Sequence, residues 1–182
     1  AESYARAGAA AISVVTEEDF FQGSLGWVGV AARSSGLPVL RKDFIFDSYQ
    51  LAETRAAGAS AVLLIVAMLE PEELRELLAA CDRFGIDALV EVHDEDELGE
   101  ALGAGASIVG VNNRDLKTFD VNIETGMRLG RLIPAGVLFV AESGIHRKSD
   151  VVQLGNSGAD AFLVGERLIR SQDPGAALKE LL

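Results

Sequence analysis

The chain has 182 residues, 49% of them hydrophobic, and a formal charge of −12. That length and apolar content suit one core-bearing domain, and an acidic chain with no Lys- or Arg-rich run argues against nucleic acid or an anionic membrane as partner. A single cysteine excludes an intrachain disulfide framework and fits a reducing, cytoplasmic setting, while two histidines without clustered cysteines give a zinc site no convincing ligand set.

The chain opens in AESYARAG, which reads as the end of a helix closing at Gly8. Short apolar runs follow in order: AAISVV (10–15), PVLR (38–41), SAVLLIV (60–66), DALVEV (87–92), SIVGVN (107–112), VLFVAE (137–142) and DAFLVG (160–165). They are rich in β-branched residues and largely continuous, as strands covered on both faces are. None reaches 18 residues and no basic leader precedes one, so neither a membrane span nor a secretory signal is expected. Between the runs lie amphipathic helices. EPEELRELLAACDRFG sets Leu74, Leu77, Leu78 and Cys81 on one stripe behind Pro71, which makes Cys81 a core thiol. DSYQLAETRAAG and DEDELGEALGAG each open with Asp followed three residues later by Gln50 or Glu97, the capping-box pattern. A last helix starts after Asp173, with Pro174 in its first position.

Five segments repeat one design: AGAAAISVV, AGASAVLLI, FGIDALVEV, AGASIVGVN and SGADAFLVG. Each runs from a helix end through Gly8, Gly58, Gly85, Gly105 or Gly158 into a strand. The unit helix, Gly turn, strand recurs every 20 to 30 residues and implies a parallel sheet, open or closed into a barrel. No GxGxxG follows any strand, which removes the main mark of a dinucleotide fold. Seven evenly spaced strands favour a (β/α)8 TIM barrel lacking one βα unit at its front, with residues 1–182 as a single incomplete barrel domain.

Polar residues fall at the C-terminal ends of the runs: Lys42 in LPVLRKDFIFD, Glu91 after ALV, Asn112, Asn113 and Arg114 after VGV, and Glu142 with Ser143 after FVA. In a parallel barrel these ends form the rim where active sites are built. Each residue taken singly reads as a rim salt bridge; four such ends together point to a functional cavity. Alternation sets Glu91 on the side of Leu89, where a carboxylate needs a cationic or donor partner, with Lys42, Asn112 and Arg114 as candidates. A Lys and a carboxylate in a dry pocket can exchange protons near neutral pH, and periodicity alone assigns neither role. Gly144 and Gly165, leaving the last two strands, expose backbone N–H groups where barrels cradle phosphate. Phe20 and Phe21 are adjacent aromatics in a loop, one of them expected to line an apolar ligand wall. His93 reads as a partly exposed cap residue, His146 as a solvated loop residue, and Trp27 as part of the outer helical packing.

Taken together, GAAAISVVTEEDFFQGSL, LPVLRKDFIFDSYQ, GASAVLLIVAML, ALVEVHDEDEL, IVGVNNRDLKTFDV, VAESGI and DAFLVGERL strongly resemble indole-3-glycerol phosphate synthase across essentially the whole chain. LRKDFI and NNRDL are specific to that family; ESGI and LVGE are shared with many phosphate-binding barrels. The resemblance implies a (β/α)8 barrel that closes the indole ring of 1-(2-carboxyphenylamino)-1-deoxyribulose 5-phosphate, losing carbon dioxide and water, with no cofactor or metal. It implies Lys42 as general acid, Glu91 as the carboxylate assisting proton transfer, Asn112 holding substrate beside Arg114, and Glu142 with Ser143 at the sugar end. Gly144 and Gly165 then match the phosphate cradle, and Phe20 or Phe21 the anthranilate side. Glu166, a carboxylate beside that cradle, is expected to point away. The family's first strand, with its Glu-x-Lys motif, has no counterpart in this sequence. A complete form is expected to be monomeric, and a truncated one to self-associate through open strand edges and be inactive. Other phosphate-sugar barrels, such as a phosphoribosyl isomerase, would share the glycine loops but not LRKDFI with NNRDL.

Overall fold

The computed structural model describes residues 1–182, which divide into two compact units, Ala1–Leu89 and Val90–Leu182. Every one of the seven expected strands is present, and all strand pairs are parallel.

In the first unit, α1 (Glu2–Ala7) leads into β1 (Ile12–Val15), α2 (Gly26–Ser35), β2 (Val39–Lys42), α3 (Ser48–Ala57), β3 (Ala61–Ile65) and α4 (Pro71–Phe84). β1 pairs with β2 in the register Ile12 to Val39 through Val15 to Lys42, and β2 pairs with β3 through Leu40 to Ala61. Ile12, Val14, Val28, Ala31, Val39 and Ala59 form a core cluster between strands and helices. α3 begins with a complete capping box, Asp47 with Gln50, as its sequence pattern indicated. Burial of Cys81 pushes its thiol up to about 12, so it is an inert core group. Trp27 departs from expectation. It lies in the first turn of α2 and is 54% exposed rather than packed.

β4 (Asp87–Val92) begins at the end of the first unit and runs into the second. There follow α5 (Glu95–Ala104), β5 (Ile108–Asn112), α6 (Glu124–Gly130), β6 (Leu138–Glu142), α7 (Lys148–Gly155), β7 (Ala161–Leu163), α8 (Glu166–Ile169) and α9 (Pro174–Lys179). β4, β5, β6 and β7 pair in chain order, β5 and β6 from Ile108–Leu138 to Asn112–Glu142. Phe139 and Leu129 are fully buried, with Phe139 against Gly130: a Cβ there would lie 2.4 Å from the Phe139 ring. All five repeat glycines, from Gly8 (φ 102°) to Gly158 (φ 104°), take the left-handed conformation that ends a helix before a tight turn. Four of them are the C-caps of α1, α3, α4 and α5, whereas Gly158 lies in the turn after α7, whose own C-cap is Asn156. No helix is long and apolar enough to cross a membrane.

Candidate active site

The strand ends carry their charges on defined faces. In the first unit, Arg41 is buried and turned toward α3: its Nη1 donates to Gln50 O (2.8 Å) and Thr54 Oγ1 (3.1 Å). Its Nε and Nη2 donate to Asp43 Oδ2 at 3.2 and 2.9 Å, and Nε also reaches Thr16 Oγ1 at 3.1 Å. Thr16 in turn donates to Asp43 at 2.6 Å, joining the ends of β1 and β2. A buried cation so fully hydrogen-bonded is fixed in place. Because side chains alternate along a strand, Lys42 leaves β2 on the face opposite Arg41, away from α3. Two of the three adjacent charges thus hold the backbone from which the third projects.

The second unit repeats this logic. Asn113, 2% exposed, faces α6, where its Oδ1 accepts from Gly126 N at 2.8 Å. Asn112 is therefore on the opposite face of β5. Its Nδ2 donates to Glu91 Oε1 at 3.1 Å and its Oδ1 accepts from Arg114 N at 3.0 Å. Phe139 faces α6 at Gly130, so Glu142, three residues on, also lies on the face away from the helices, in register with Asn112. Glu91 and Glu142 are 1% and 2% exposed. Two buried carboxylates therefore flank one amide at the C-terminal ends of three consecutive strands, where the strand-end pattern in the sequence put them.

His93 stands at the start of α5, as a partly exposed cap residue would, but its ring is more enclosed than that reading implies. Its side chain is 13% exposed, with Nε2 3.3 Å from Glu91 Oε1 and Nδ1 2.9 Å from Glu97 Oε2. Burial disfavours the charged ring, but hydrogen-bonding and coulombic contact with Glu91 and Glu97 outweigh it and raise the pKa to about 9. His146 is exposed, as expected.

At the turn after β6, Ser143 (φ 62°) and Gly144 (φ 73°) are successive left-handed residues. Asn113 Nδ2 donates to Ser143 O at 3.1 Å and braces this turn against β5. A Cβ on Gly144 would lie 2.7 Å from Val121 Cγ1, whereas one on Gly165 would meet open space. Gly165 is the N-cap of α8, which begins at Glu166. The Glu166 carboxylate is drawn to two guanidinium groups, pairing with Arg114 Nη2 at 3.0 Å and with Arg170 Nη2 at 3.2 Å. Arg114 also donates to Phe119 O at 3.3 Å.

Phe20 and Phe21 are 80% and 61% exposed on a turn whose N–H groups are held by the Glu17 carboxylate. Both rings approach Phe44, at centroid distances of 6.5 and 6.1 Å. Phe44 thus sits against the two exposed aromatics within the first unit, and Asn113 and His93 sit beside the buried carboxylates of the second. Sequence reasoning named Asn113 at its strand end and His93 as a cap residue but passed over Phe44, although its position, two after Lys42 in LRKDFI, was a usable signal.

Residues 1–181 match the family model for indole-3-glycerol phosphate synthase. Relatives of that name include one from Roseiflexus sp., 52% identical over 189 residues, and one from Albidiferax ferrireducens, 49% identical over 181 residues. A third, from Carboxydothermus hydrogenoformans, is 48% identical over 183 residues. All of this chain is covered in each case, and 69% or 70% of the relative. Among solved structures, KGPDC from Streptococcus mutans is similar with a TM-score of 0.77 at 14% identity, covering 98% of this chain and 85% of that one. Thiamine phosphate pyrophosphorylase from Pyrococcus furiosus gives 0.75 at 17% identity, with 99% and 84% coverage. Likeness at that identity concerns fold alone: an α/β fold of the TIM-barrel kind.

Proposed function

This chain belongs to the indole-3-glycerol phosphate synthase family, and we propose that Lys42, Glu91, Asn112 and Glu142 carry that family's ring closure in it. The substrate is then 1-(2-carboxyphenylamino)-1-deoxyribulose 5-phosphate, and the reaction is a carbon–carbon lyase chemistry of tryptophan biosynthesis. The aryl carbon attacks the ribulose C2 carbonyl, and negative charge grows on that oxygen. Lys42, a cationic acid on a rigid strand end, donates to it. Loss of carbon dioxide then restores the aromatic ring, its electrons flowing into the adjacent iminium, so the intermediate itself serves as electron sink. Departure of the C2 hydroxyl needs a second proton, in whose transfer Glu91 assists. Asn112 and Arg114 hold the substrate, and Glu142 with Ser143 take the sugar hydroxyls. The backbone N–H groups at Gly144 and Gly165 take the phosphate, and Phe20 or Phe21 covers the anthranilate ring.

The observation that carries this reading is the pair of buried carboxylates, Glu91 and Glu142, with Asn112 between them at neighbouring strand ends. Carboxylates are rarely buried to this degree for packing alone. A cytoplasmic location agrees with the one cysteine being a buried thiol.

Measuring kcat together with substrate Kd for wild type and Lys42→Ala tests the assignment. Turnover should fall by about 10²–10⁴-fold, the range for a lost proton-transfer group, with binding largely kept. A fall of less than about tenfold would reduce Lys42 to a salt-bridge residue and move the general acid elsewhere.

A further inference from the structure

α5 begins with Asp94 as N-cap, its side chain accepting from Glu97 N at 2.9 Å. In a reciprocal capping box the Glu97 carboxylate would return to the Asp94 N–H. It does not. Glu97 Oε2 instead accepts from His93 N at 2.7 Å and contacts His93 Nδ1 at 2.9 Å. The helix gives up half of its cap to grip one histidine.

The other ring nitrogen, Nε2, is buried and faces Glu91 Oε1 at 3.3 Å, an ion-pair contact without a well-aligned hydrogen bond. Both nitrogens therefore meet carboxylate oxygens. A neutral imidazole has one N–H and one lone pair, and either tautomer would set that lone pair against an anionic oxygen. With both carboxylates ionised, only the imidazolium satisfies both contacts. The charged groups facing the ring are Glu91 from β4 and Glu97 from α5, while the Asn112 amide from β5, which also binds Glu91 Oε1, is neutral.

We propose that Glu97 is a positioning residue which holds His93 as a charged strut against Glu91, fixing the carboxylate that the synthase reading assigns to proton transfer. The inference rests on that reading for its catalytic consequence but on geometry alone for the strut. His93 and Asn112 both engage Oε1, so that oxygen is anchored from two elements. Glu97 touches no reacting atom and acts only through the ring. The raised pKa of His93 agrees with this arrangement.

Ring-15N NMR of His93 in wild type and Glu97→Gln, with kcat and KM on the same samples, separates the two parts. Wild type should show both ring nitrogens protonated up to about pH 9. Glu97→Gln, isosteric at the cap, should lose the ring proton at least about one pH unit lower. Its kcat should fall about tenfold with KM little changed, as when an outer partner orienting an active group is removed. His93→Gln keeps an amide donor toward Glu91 and should abolish the kcat dependence on pH that the ring imposes. A neutral ring at pH 7 in wild type would overturn the strut, as would a Glu97→Gln titration and kcat matching wild type. Lack of turnover in wild type would count against the synthase reading, and the ring titration would then decide the strut alone.

Discussion

Arg41, Lys42 and Asp43 are adjacent charges with two different tasks. Arg41 and Asp43 lock to each other and to Thr16 and α3, and Lys42 projects from the strand end they stabilise. The strand-end position of Lys42, Glu91, Asn112 and Glu142 was legible in sequence, because a polar residue closing an apolar run is costly without a use. His93 was not. Its neighbours in EVHDEDE look like a solvated helix start, and nothing in that string shows that Glu97 turns back to the ring rather than to Asp94. Stability should report the difference. The folded pKa of about 9 lies above the ordinary 6.5, so the folded state binds this proton more tightly. The stabilisation is fully present below pH 6.5 and is lost as pH rises through about 9. Urea midpoints for wild type should therefore drop from pH 6.5 to 9.5 relative to His93→Gln; parallel curves would mean that folding does not raise the ring's pKa.

Among the elements, the helix, Gly turn, strand repeat was readable because glycine caps and β-branched runs are local signals. Faces were readable only in part: alternation says which residues share a side, but contacts with α3 and α6 are needed to say which side meets the helices. The early end of β7, at Leu163, escaped the apolar-run reading, which took the strand through to residue 165, although the helical turn starting at Gly165 was legible. That junction offers a clean test of the phosphate assignment. A Cβ at Gly165 meets no atom within 4 Å, so Gly165→Val should fold normally while crowding the space before the α8 N–H groups. Gly144 is less suitable, since φ is 73° and a Cβ would press on Val121. Calorimetric titration with inorganic phosphate should show weaker binding to Gly165→Val than to wild type. Equal affinities would remove Gly165 from the cradle.

For the whole molecule, family membership follows from a match over residues 1–181 and from relatives near 50% identity. The motifs LRKDFI and NNRDL carried that signal in the sequence, whereas no motif marked the division into two compact units. The chain spans about 70% of the length of those relatives. The most direct test of the central claim is to offer the protein 1-(2-carboxyphenylamino)-1-deoxyribulose 5-phosphate and follow indole fluorescence alongside released carbon dioxide. Ring closure through the proposed route predicts that both appear together, in equal amounts, with no added metal or cofactor. Fluorescence that never rises with the substrate bound, or carbon dioxide released without indole, would contradict it.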